Sequence, residues 1–395
     1  MNAPQLIVTI VLAGLALQAC YLLVFALAAR LPLGERHAIG RRRRALVIIP
    51  ATASDPLVRE AVAAALTQQY PLEAFDVVVA ARGLVPSQMA ELDAMGARVI
   101  AVEPVLESRA AIIQDALQRL GRARYEFVVV LDADHVADRG LLQEFNWHFA
   151  ARAVAVQARR ETKLQGSPIS RLDAVSEAFH TTVFRAGHAA LGLSASLLGT
   201  GMAFEYEFFR RAMRFTSTSA TGCEKELERL LFASGHRVRY AGCAVVRDER
   251  RRRSIELVQR RQRRLATQWR FSLHGLLRMG FRDLLAPLHV LDATDRVLQA
   301  FLLPRSVLVP LTAATGLAAW LLGLPASWAL APVAALATAV LLAVPPLLLR
   351  RAMLAVPMLL LKSPSLVMVG PRSRRLLDAV APSAARDTSA TPVHA

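Results

Sequence analysis

The chain has 395 residues, 54% of them hydrophobic, and its mean hydropathy is +0.36, which is too apolar for a purely soluble protein. The formal net charge is +17, but no basic stretch interleaved with aromatic residues, the pattern typical of base stacking, accompanies it. These properties argue against a nucleic-acid-binding protein and favour a membrane protein. The three cysteines, Cys20, Cys223 and Cys243, are scattered and match neither a metal-binding spacing nor a disulfide framework.

The first apolar segment lies near the N-terminus. Residues 6–29 carry no charge and are long enough to span a bilayer. No Lys or Arg precedes Arg30, unlike the basic start of a cleaved signal peptide, so a retained membrane helix is predicted within residues 1–32. Four arginines follow at positions 41–44, and this positive flank places the next part of the chain in the cytoplasm and the N-terminus outside.

Apolar segments return near the C-terminus. Residues 306–323 and 324–349 are predicted as two further spans, and an arginine pair directly behind them marks a second cytoplasmic flank. The apolar stretch 353–369 is interrupted by two prolines and a lysine, which favours a helix lying in the membrane interface. We therefore assign residues 283–370 to interfacial and transmembrane helices, and the Pro-, Ala-, Ser- and Arg-rich residues 371–395 to a disordered tail.

The segment between the membrane regions, residues 45–282, is long enough for one sizeable α/β domain. Apolar runs with strand character alternate there with stretches of helical periodicity, which predicts a parallel, doubly wound sheet. The predicted strands are 45–49, 75–80, 98–102 and 127–131, and the predicted helices are 56–69, 86–95 and 108–120.

Two acids directly follow the last of these strands. Residues 128–131 are apolar, as expected for a buried parallel strand, and Asp132 and Asp134 come one residue apart behind them. At the carboxyl-end crevice of an α/β sheet, such acids typically face a ligand and a divalent cation. They could instead cap the next helix or remain solvated. His135 could add an imidazole ligand, or it could be solvated or occupied by a hydrogen bond.

Further motifs follow one another in an order known from one enzyme family. They are the strand end 47–51 with Pro50, Arg109 and Gln114 in a later helix, Asp132-Ala133-Asp134, Val156-Gln157, Gly199-Thr200-Gly201-Met202, and the segment 237–249. In these motifs and in its flanking apolar segments the chain resembles the membrane-bound family 2 glycosyltransferases, a group that includes cellulose synthase catalytic subunits, hyaluronan synthases and ceramide glucosyltransferases. The resemblance covers roughly residues 45–303.

This resemblance implies a fold and a reaction. The fold is GT-A, an α/β fold with a Rossmann-like, mostly parallel sheet, here between one N-terminal and about two C-terminal transmembrane helices. The reaction is the inverting transfer of a sugar from a nucleotide-sugar, most readily a UDP-sugar, with Mg²⁺ or Mn²⁺ as cofactor. The expected location is the inner (cytoplasmic) membrane, as a multi-pass protein with its catalytic domain in the cytoplasm.

The resemblance also implies roles for individual residues. Asp134 would be the principal metal ligand, and Asp132 would either bridge to the metal or bind ribose. The donor-binding residues would be Pro50, Asp55, Arg109, Asp132, Asp134, Arg263 and Arg264. The acceptor-binding residues would be Gly199, Thr200, Gly201, Glu226 and Trp269, although Trp269 could instead anchor a core or a membrane interface.

Inverting transfer requires a general base that takes the acceptor proton. In the family this base is the Asp of a T-E-D triplet. Counting back from Gly235 places Glu224 at the base position, and Glu226 matches a later Glu of the same pattern. The acids of this segment could alternatively form nothing more than the solvated face of a helix.

The chain departs from the family pattern at several positions. Ala81 stands where the family has an acid after its second strand, and Asp55 is the only acid left after the first. The Q-x-x-R-W motif is reduced to residues 261–265, which keep Arg264 but lack the Gln and the Trp.

These departures leave two hypotheses open. One is an active transferase that acts on a lipid or polysaccharide acceptor, with possible partner subunits of a polysaccharide or glycolipid pathway. The other is a catalytically degenerate GT-A-fold membrane protein that partners an active synthase. The spans carry almost no charge, which argues against a transporter or a channel.

Overall fold

The computed structural model describes residues 2–32, 40–53, 55–103, 105–106, 108–121, 125–162, 168–216, 222–248 and 290–353. The strands are β1 (Ala45–Thr52), β2 (Phe75–Arg82), β3 (Arg98–Ala101), β4 (Phe127–Val130), β5 (His135–Ala137), β6 (Ala155–Thr162), β7 (Met202–Glu205) and β8 (Val238–Asp248). The helices are α1 (Ala3–Ala28), α2 (Val58–Leu66), α3 (Pro86–Ala94), α4 (Arg109–Leu120), α5 (Leu141–Ala150), α6 (Pro168–Thr181), α7 (His188–Ala190), α8 (Tyr206–Phe215), α9 (Cys223–Ala233), α10 (Val290–Phe301), α11 (Arg305–Leu321), α12 (Ala326–Ala343) and α13 (Pro346–Met353). A π-helical segment, Thr182–Gly187, joins α6 to α7, and a 3₁₀ turn, Leu72–Ala74, precedes β2.

All eight strands form one sheet in the order β3-β2-β1-β4-β7-β6-β8-β5. The strands β3, β2, β1 and β4 run parallel to one another, which confirms the predicted α/β class and its parallel half. The second half is mixed, because β7 runs antiparallel to both β4 and β6, and β5 runs antiparallel to β8. Only the pair β6 and β8 is parallel there.

Helices cover both faces of the sheet, which explains why β1 and β4 at its centre are almost entirely apolar. In β1, Val47 and Ile49 pack in one core with residues of α2, α3 and α5. Leu46 and Ile48 point to the other face and pack with residues of α4, α8 and α9. Burial on both faces is the environment in which parallel strands lose their polar alternation.

The parallel pairing brings the carboxyl ends of β1 and β4 together. Ile48 lies opposite Val130, and the backbone N–H of Leu131 donates to the carbonyl of Ile48 at 3.0 Å. The loop after β1 and the acids after β4 therefore emerge at the same edge of the sheet. The backbone N–H of Gly201 donates to the carbonyl of Val130 at 2.9 Å, so the glycine-rich segment before β7 reaches this edge as well.

Two of the described helices, α1 and α12, are long and apolar enough to cross a membrane. The apolar stretch of α11, Val307–Leu321, is shorter. The stretch 324–349, predicted as one span, contains two helices, because α12 ends at Ala343 and α13 starts anew at Pro346. Consecutive prolines at 345 and 346 remove two backbone donors, so the helix cannot continue. The predicted interfacial helix 353–369 and the tail 371–395 lie outside the described residues, except for Met353.

The apolar helices pack directly on the rest of the molecule. Leu15, Ala19 and Leu22 of α1 share one buried cluster with residues of α12 and with Phe179 and Val183 of the helical run from α6 to α7. At Gly187 the approach is so close that a Cβ atom there would lie 2.2 Å from the carbonyl oxygen of Phe25. A side chain as small as alanine would therefore force α1 away from this run.

Candidate active site

The acids after β4 and the histidine behind them converge on one point. A tight turn follows β4, in which the backbone N–H of His135 donates to the carbonyl of Asp132 at 3.1 Å. One ligand atom from each of Asp132, Asp134 and His135 lies within 4.8 Å of the others. Asp134 and His135 are buried, and Asp132 is half-buried. Two carboxylate oxygens and an imidazole nitrogen so placed suit a divalent cation such as Mn²⁺, since carboxylates and histidine both ligate it.

Arg109 links the acids to the opposite side of the cleft. It is the first residue of α4, whose preceding residue Ser108 caps the helix by accepting from the backbone N–H of Ala111 at 3.1 Å. The guanidinium Nη2 lies 2.8 Å from Asp132 Oδ1, and Nη1 lies 3.5 Å from Glu224 Oε1. Burial alone would lower the pKa of Arg109, but the neighbouring carboxylates raise it, so the guanidinium stays charged.

The glycine-rich segment fits closely between these charged groups. Arg109 Nη2 donates to the carbonyl of Gly199, and Thr200 Oγ1 accepts from the backbone N–H of Asp132 at 3.1 Å. The side chain of Gln157 supports the segment from below, because its Nε2 donates to the carbonyls of Thr200 and Gly201 at 3.0 and 3.2 Å. The Val-Gln pair at positions 156 and 157 is one of the motifs in the sequence, and the buried amide of Gln157 serves to hold the glycine-rich segment in place.

Glu224 lies at the start of α9, which begins after Gly222 in the left-handed region at φ 101°. Helix N-termini carry a partial positive charge that favours an ionised carboxylate. Successive residues on a helix turn by about 100°, so Glu226 points about 200° away from Glu224 and toward a different surface. Glu228 is not part of a solvated face, because it accepts from the backbone N–H of Leu197 at 2.6 Å and from Lys225 Nζ at 2.7 Å.

The side of the cleft formed by β1 and β2 carries fewer charges. Pro50 is buried within β1. Asp55 closes the turn after this strand, since one of its carboxylate oxygens accepts from the backbone N–H and from the hydroxyl of Thr52, both at 2.8 Å. Ala81 is buried at the end of β2, and Arg82 beside it donates to the carbonyl of Leu106 at 3.0 Å.

The structure thus brings most of the predicted site residues together and leaves some outside. One cleft is lined by Asp132, Asp134, Arg109, Glu224 and the segment 199–201. Three further predicted residues, Arg263, Arg264 and Trp269, lie outside the described residues. The cleft combines a place for a cation, a charged guanidinium and a carboxylate at a helix N-terminus, which is what transfer of a group from a diphosphate demands.

Two solved structures are similar to this chain, and the first of them shows the fold. A mannosyltransferase from Pyrobaculum calidifontis, solved in complex with GDP-mannose and Mn²⁺, is 18% identical, and the match has a TM-score of 0.56 over 88% of this chain and 95% of that one. A glucosyl-3-phosphoglycerate synthase from Mycobacterium tuberculosis, solved with Mn²⁺, UDP and phosphoglyceric acid, is 17% identical with a TM-score of 0.38, and the match covers 60% of this chain and 81% of that one.

A comparison with curated proteins finds no match. The sequence model of the family described as "Glycosyltransferase like family 2" matches residues 43–267. This stretch contains the whole described sheet and every described residue of the cleft, and it is more than half of the 395 residues. The chain is therefore a glycosyltransferase with a GT-A-like fold, and it belongs to glycosyltransferase family 2.

Proposed function

We propose that this chain is a metal-dependent inverting transferase that moves a sugar from a nucleotide-sugar to a lipid or polysaccharide acceptor. The observation that carries the proposal is the contact of one guanidinium with two acids. Arg109 lies 2.8 Å from Asp132, at the predicted metal site, and 3.5 Å from Glu224, at the predicted base position. The two carboxylates are 92 residues apart in the sequence but contact the same guanidinium, which supports their acting on one donor and one acceptor.

Each group has a defined part in this reaction. Asp132 and Asp134, with His135, would hold Mg²⁺ or Mn²⁺, and the bound cation supplies charge that neutralises the departing diphosphate. Arg109 adds a second positive charge beside it. Glu224 takes the proton of the acceptor hydroxyl while that oxygen bonds to the anomeric carbon and the bond from this carbon to the diphosphate breaks. The sugar configuration inverts because attack and departure occur on opposite faces.

The assignment to the membrane-bound group and the orientation in the membrane rest on the apolar helices and the arginine clusters. We propose that the chain belongs to the membrane-bound group of the family, as a multi-pass protein of the inner (cytoplasmic) membrane, with residues 45–282 in the cytoplasm. Helices α1 and α12 support this, as do the arginines at 41–44 and those that end α13. The donor is then supplied from the cytoplasm, and the proposed contacts of Arg263, Arg264 and Trp269 with diphosphate and acceptor complete the site.

One set of observations favours a second function, that of a degenerate partner of an active synthase. Ala81 replaces a carboxylate at the end of β2, and a charge-assisted hydrogen bond of this kind contributes about 1.5–3 kcal/mol. Asp55 is already bonded to Thr52. Glu224 is one methylene longer than the family's Asp, and a displacement of about an ångström can cost on the order of a hundredfold in rate.

The decisive experiment measures donor hydrolysis and transfer by the full chain in lipid nanodiscs, with UDP- and GDP-sugars and Mn²⁺. Glu224→Gln should leave Mn²⁺-dependent nucleotide binding intact and lower turnover by at least about a hundredfold. Glu224→Asp restores the family residue and should retain or raise turnover. Normal turnover of Glu224→Gln together with a dead Glu226→Gln would move the base to Glu226. Nucleotide binding without any hydrolysis or transfer, in wild type and variants alike, would favour the partner function.

A further inference from the structure

The strand pairing of β5 with β8 places a buried ion pair directly behind the candidate metal site. His135 lies opposite Asp248 in the register of these two strands. Asp248 is 2% exposed, and one of its carboxylate oxygens accepts from Arg160 Nη2 of β6 at 2.6 Å. Arg160 is itself 4% exposed. None of these contacts takes part in the reaction described above.

The two ring nitrogens of His135 face two different carboxylates. Nδ1 faces the cleft, 2.5 Å from Asp134 Oδ1 and 3.9 Å from Asp132 Oδ2. Nε2 faces away from the cleft, and Asp248 Oδ2 lies 3.9 Å from it. Nε2 is buried, and among the described residues it has no hydrogen-bond partner. The side chain is 1% exposed, so water has little access to this nitrogen.

A metal-ligating histidine needs a partner on its second nitrogen. A nitrogen that ligates a cation carries no proton, so a neutral ring that binds through Nδ1 carries its proton on Nε2. Such N–H groups donate to a carboxylate, a backbone carbonyl or a water in almost all metal sites, and this contact fixes the orientation of the ring. In this chain the group that Nε2 faces is the carboxylate of Asp248.

We propose that Asp248, held in place by Arg160, is a positioning residue that orients His135 as the third ligand of the cation. This inference rests on the proposed metal site. Asp248 touches neither donor nor acceptor and acts only through the imidazole.

The environment of Arg160 explains why the carboxylate of Asp248 can stay ionised in so buried a place. A buried charge without a partner is costly, but a well-paired one is tolerated. Burial alone would lower the pKa of Arg160, but Glu177 and Asp248 raise it above the ordinary arginine value, so the guanidinium remains charged. Glu177 also lies 3.3 Å from Arg185, which is fully buried. The charges therefore alternate in sign from Asp248 to Arg185.

The test measures Mn²⁺ affinity of the full chain by electron paramagnetic resonance, with no donor present. Asp248→Ala should raise the Kd by about 10- to 100-fold, the usual loss when a second-sphere partner is removed. Asp248→Asn should recover part of this affinity, because an amide carbonyl can still accept from Nε2. The matched control is Glu161→Gln. Glu161 lies on the same strand as Arg160 and forms an exposed ion pair with Arg159 at 2.9 Å. This substitution should leave the Kd unchanged.

Two further variants separate positioning from folding. Asp248→Leu combined with Arg160→Met removes the ion pair without leaving a lone buried charge, so the fold is retained, yet Mn²⁺ affinity should still fall by the same factor. In a His135→Ala background, Asp248→Ala should cause no further loss, because its partner is already gone. Wild-type affinity in Asp248→Ala and in the double variant, with binding abolished by Asp134→Asn, would overturn the proposal. Wild-type affinity in Asp134→Asn would instead refute the metal site itself.

Discussion

Replacement of Gly199 by alanine should disable the proposed base without unfolding the protein. A Cβ atom at this position would lie 2.4 Å from Glu224 Oε1 and 2.8 Å from Arg109 Nη1, whereas an ordinary contact begins at 3.4 Å. The carboxylate of Glu224 must therefore retreat by about 1 Å, which is large for a group that accepts a proton along a hydrogen bond. Misplacement of this size predicts a fall in turnover of about a hundredfold.

Gly192→Ala is the matched control for this substitution. Gly199 and Gly192 both have a positive φ, 89° and 73°, so alanine is strained by about 1–2 kcal/mol at either position. A Cβ atom at Gly192, however, meets no described atom within 4 Å. The assay compares turnover of a nucleotide-sugar and thermal stability of the two variants. Equal turnover of Gly199→Ala and Gly192→Ala would show that the contact with Glu224 does not matter for the reaction, and the base assignment would lose its main support.

Three further predictions concern the metal, the apolar helices and the cysteines. UDP or GDP should stabilise the wild type against heat only with Mg²⁺ or Mn²⁺, and Asp134→Asn should abolish this stabilisation because an amide is a poorer ligand for these cations. Equal stabilisation of the wild type with and without metal would contradict the metal site. Gly187→Ala should lower the stability by about 1–3 kcal/mol, since its Cβ would lie 2.2 Å from a backbone oxygen of α1. The control Gly14→Ala, in the interior of α1 with no described atom within 4 Å, should be neutral or slightly stabilising, and equal melting temperatures of the two variants would exclude the close packing. Burial raises the pKa of Cys223 to about 12, so iodoacetamide at about pH 8 should alkylate the exposed Cys243 and spare Cys223. Equal labelling of the two cysteines, measured by mass spectrometry, would refute the burial of Cys223.

The parallel half of the sheet could be predicted from the sequence because its strands are mostly apolar and alternate with stretches of helical periodicity. The predicted strand 127–131 is β4, and the predicted helix 108–120 is α4, each within one residue. The antiparallel additions could not be predicted in the same way. Strand β5 has only three residues. Strand β7 directly follows a glycine-rich segment and ends on Glu205, so neither strand presents the long apolar run that marks a buried strand.

The site was predictable to the extent that its residues lie in motifs. Asp132, Asp134, Arg109 and Glu224 belong to recognisable segments, and the structure places them in one cleft. The supporting contacts were not predictable, since they join residues far apart in the sequence. Arg160 and Asp248, for example, are 88 positions apart and meet only because β6 and β8 pair in parallel.

The distribution of charge within the cleft suggests how it would hold a donor. On the side of β4, the described residues offer a cation site and the guanidinium of Arg109, both suited to a diphosphate. On the side of β1 and β2, Asp55 is bonded to Thr52 and an alanine occupies position 81. Binding energy would therefore come mainly from the diphosphate and the metal, and little from the nucleobase. For this reason UDP- and GDP-sugars should be compared side by side, since weak contacts to the base would leave the sugar as the group that distinguishes one donor from another.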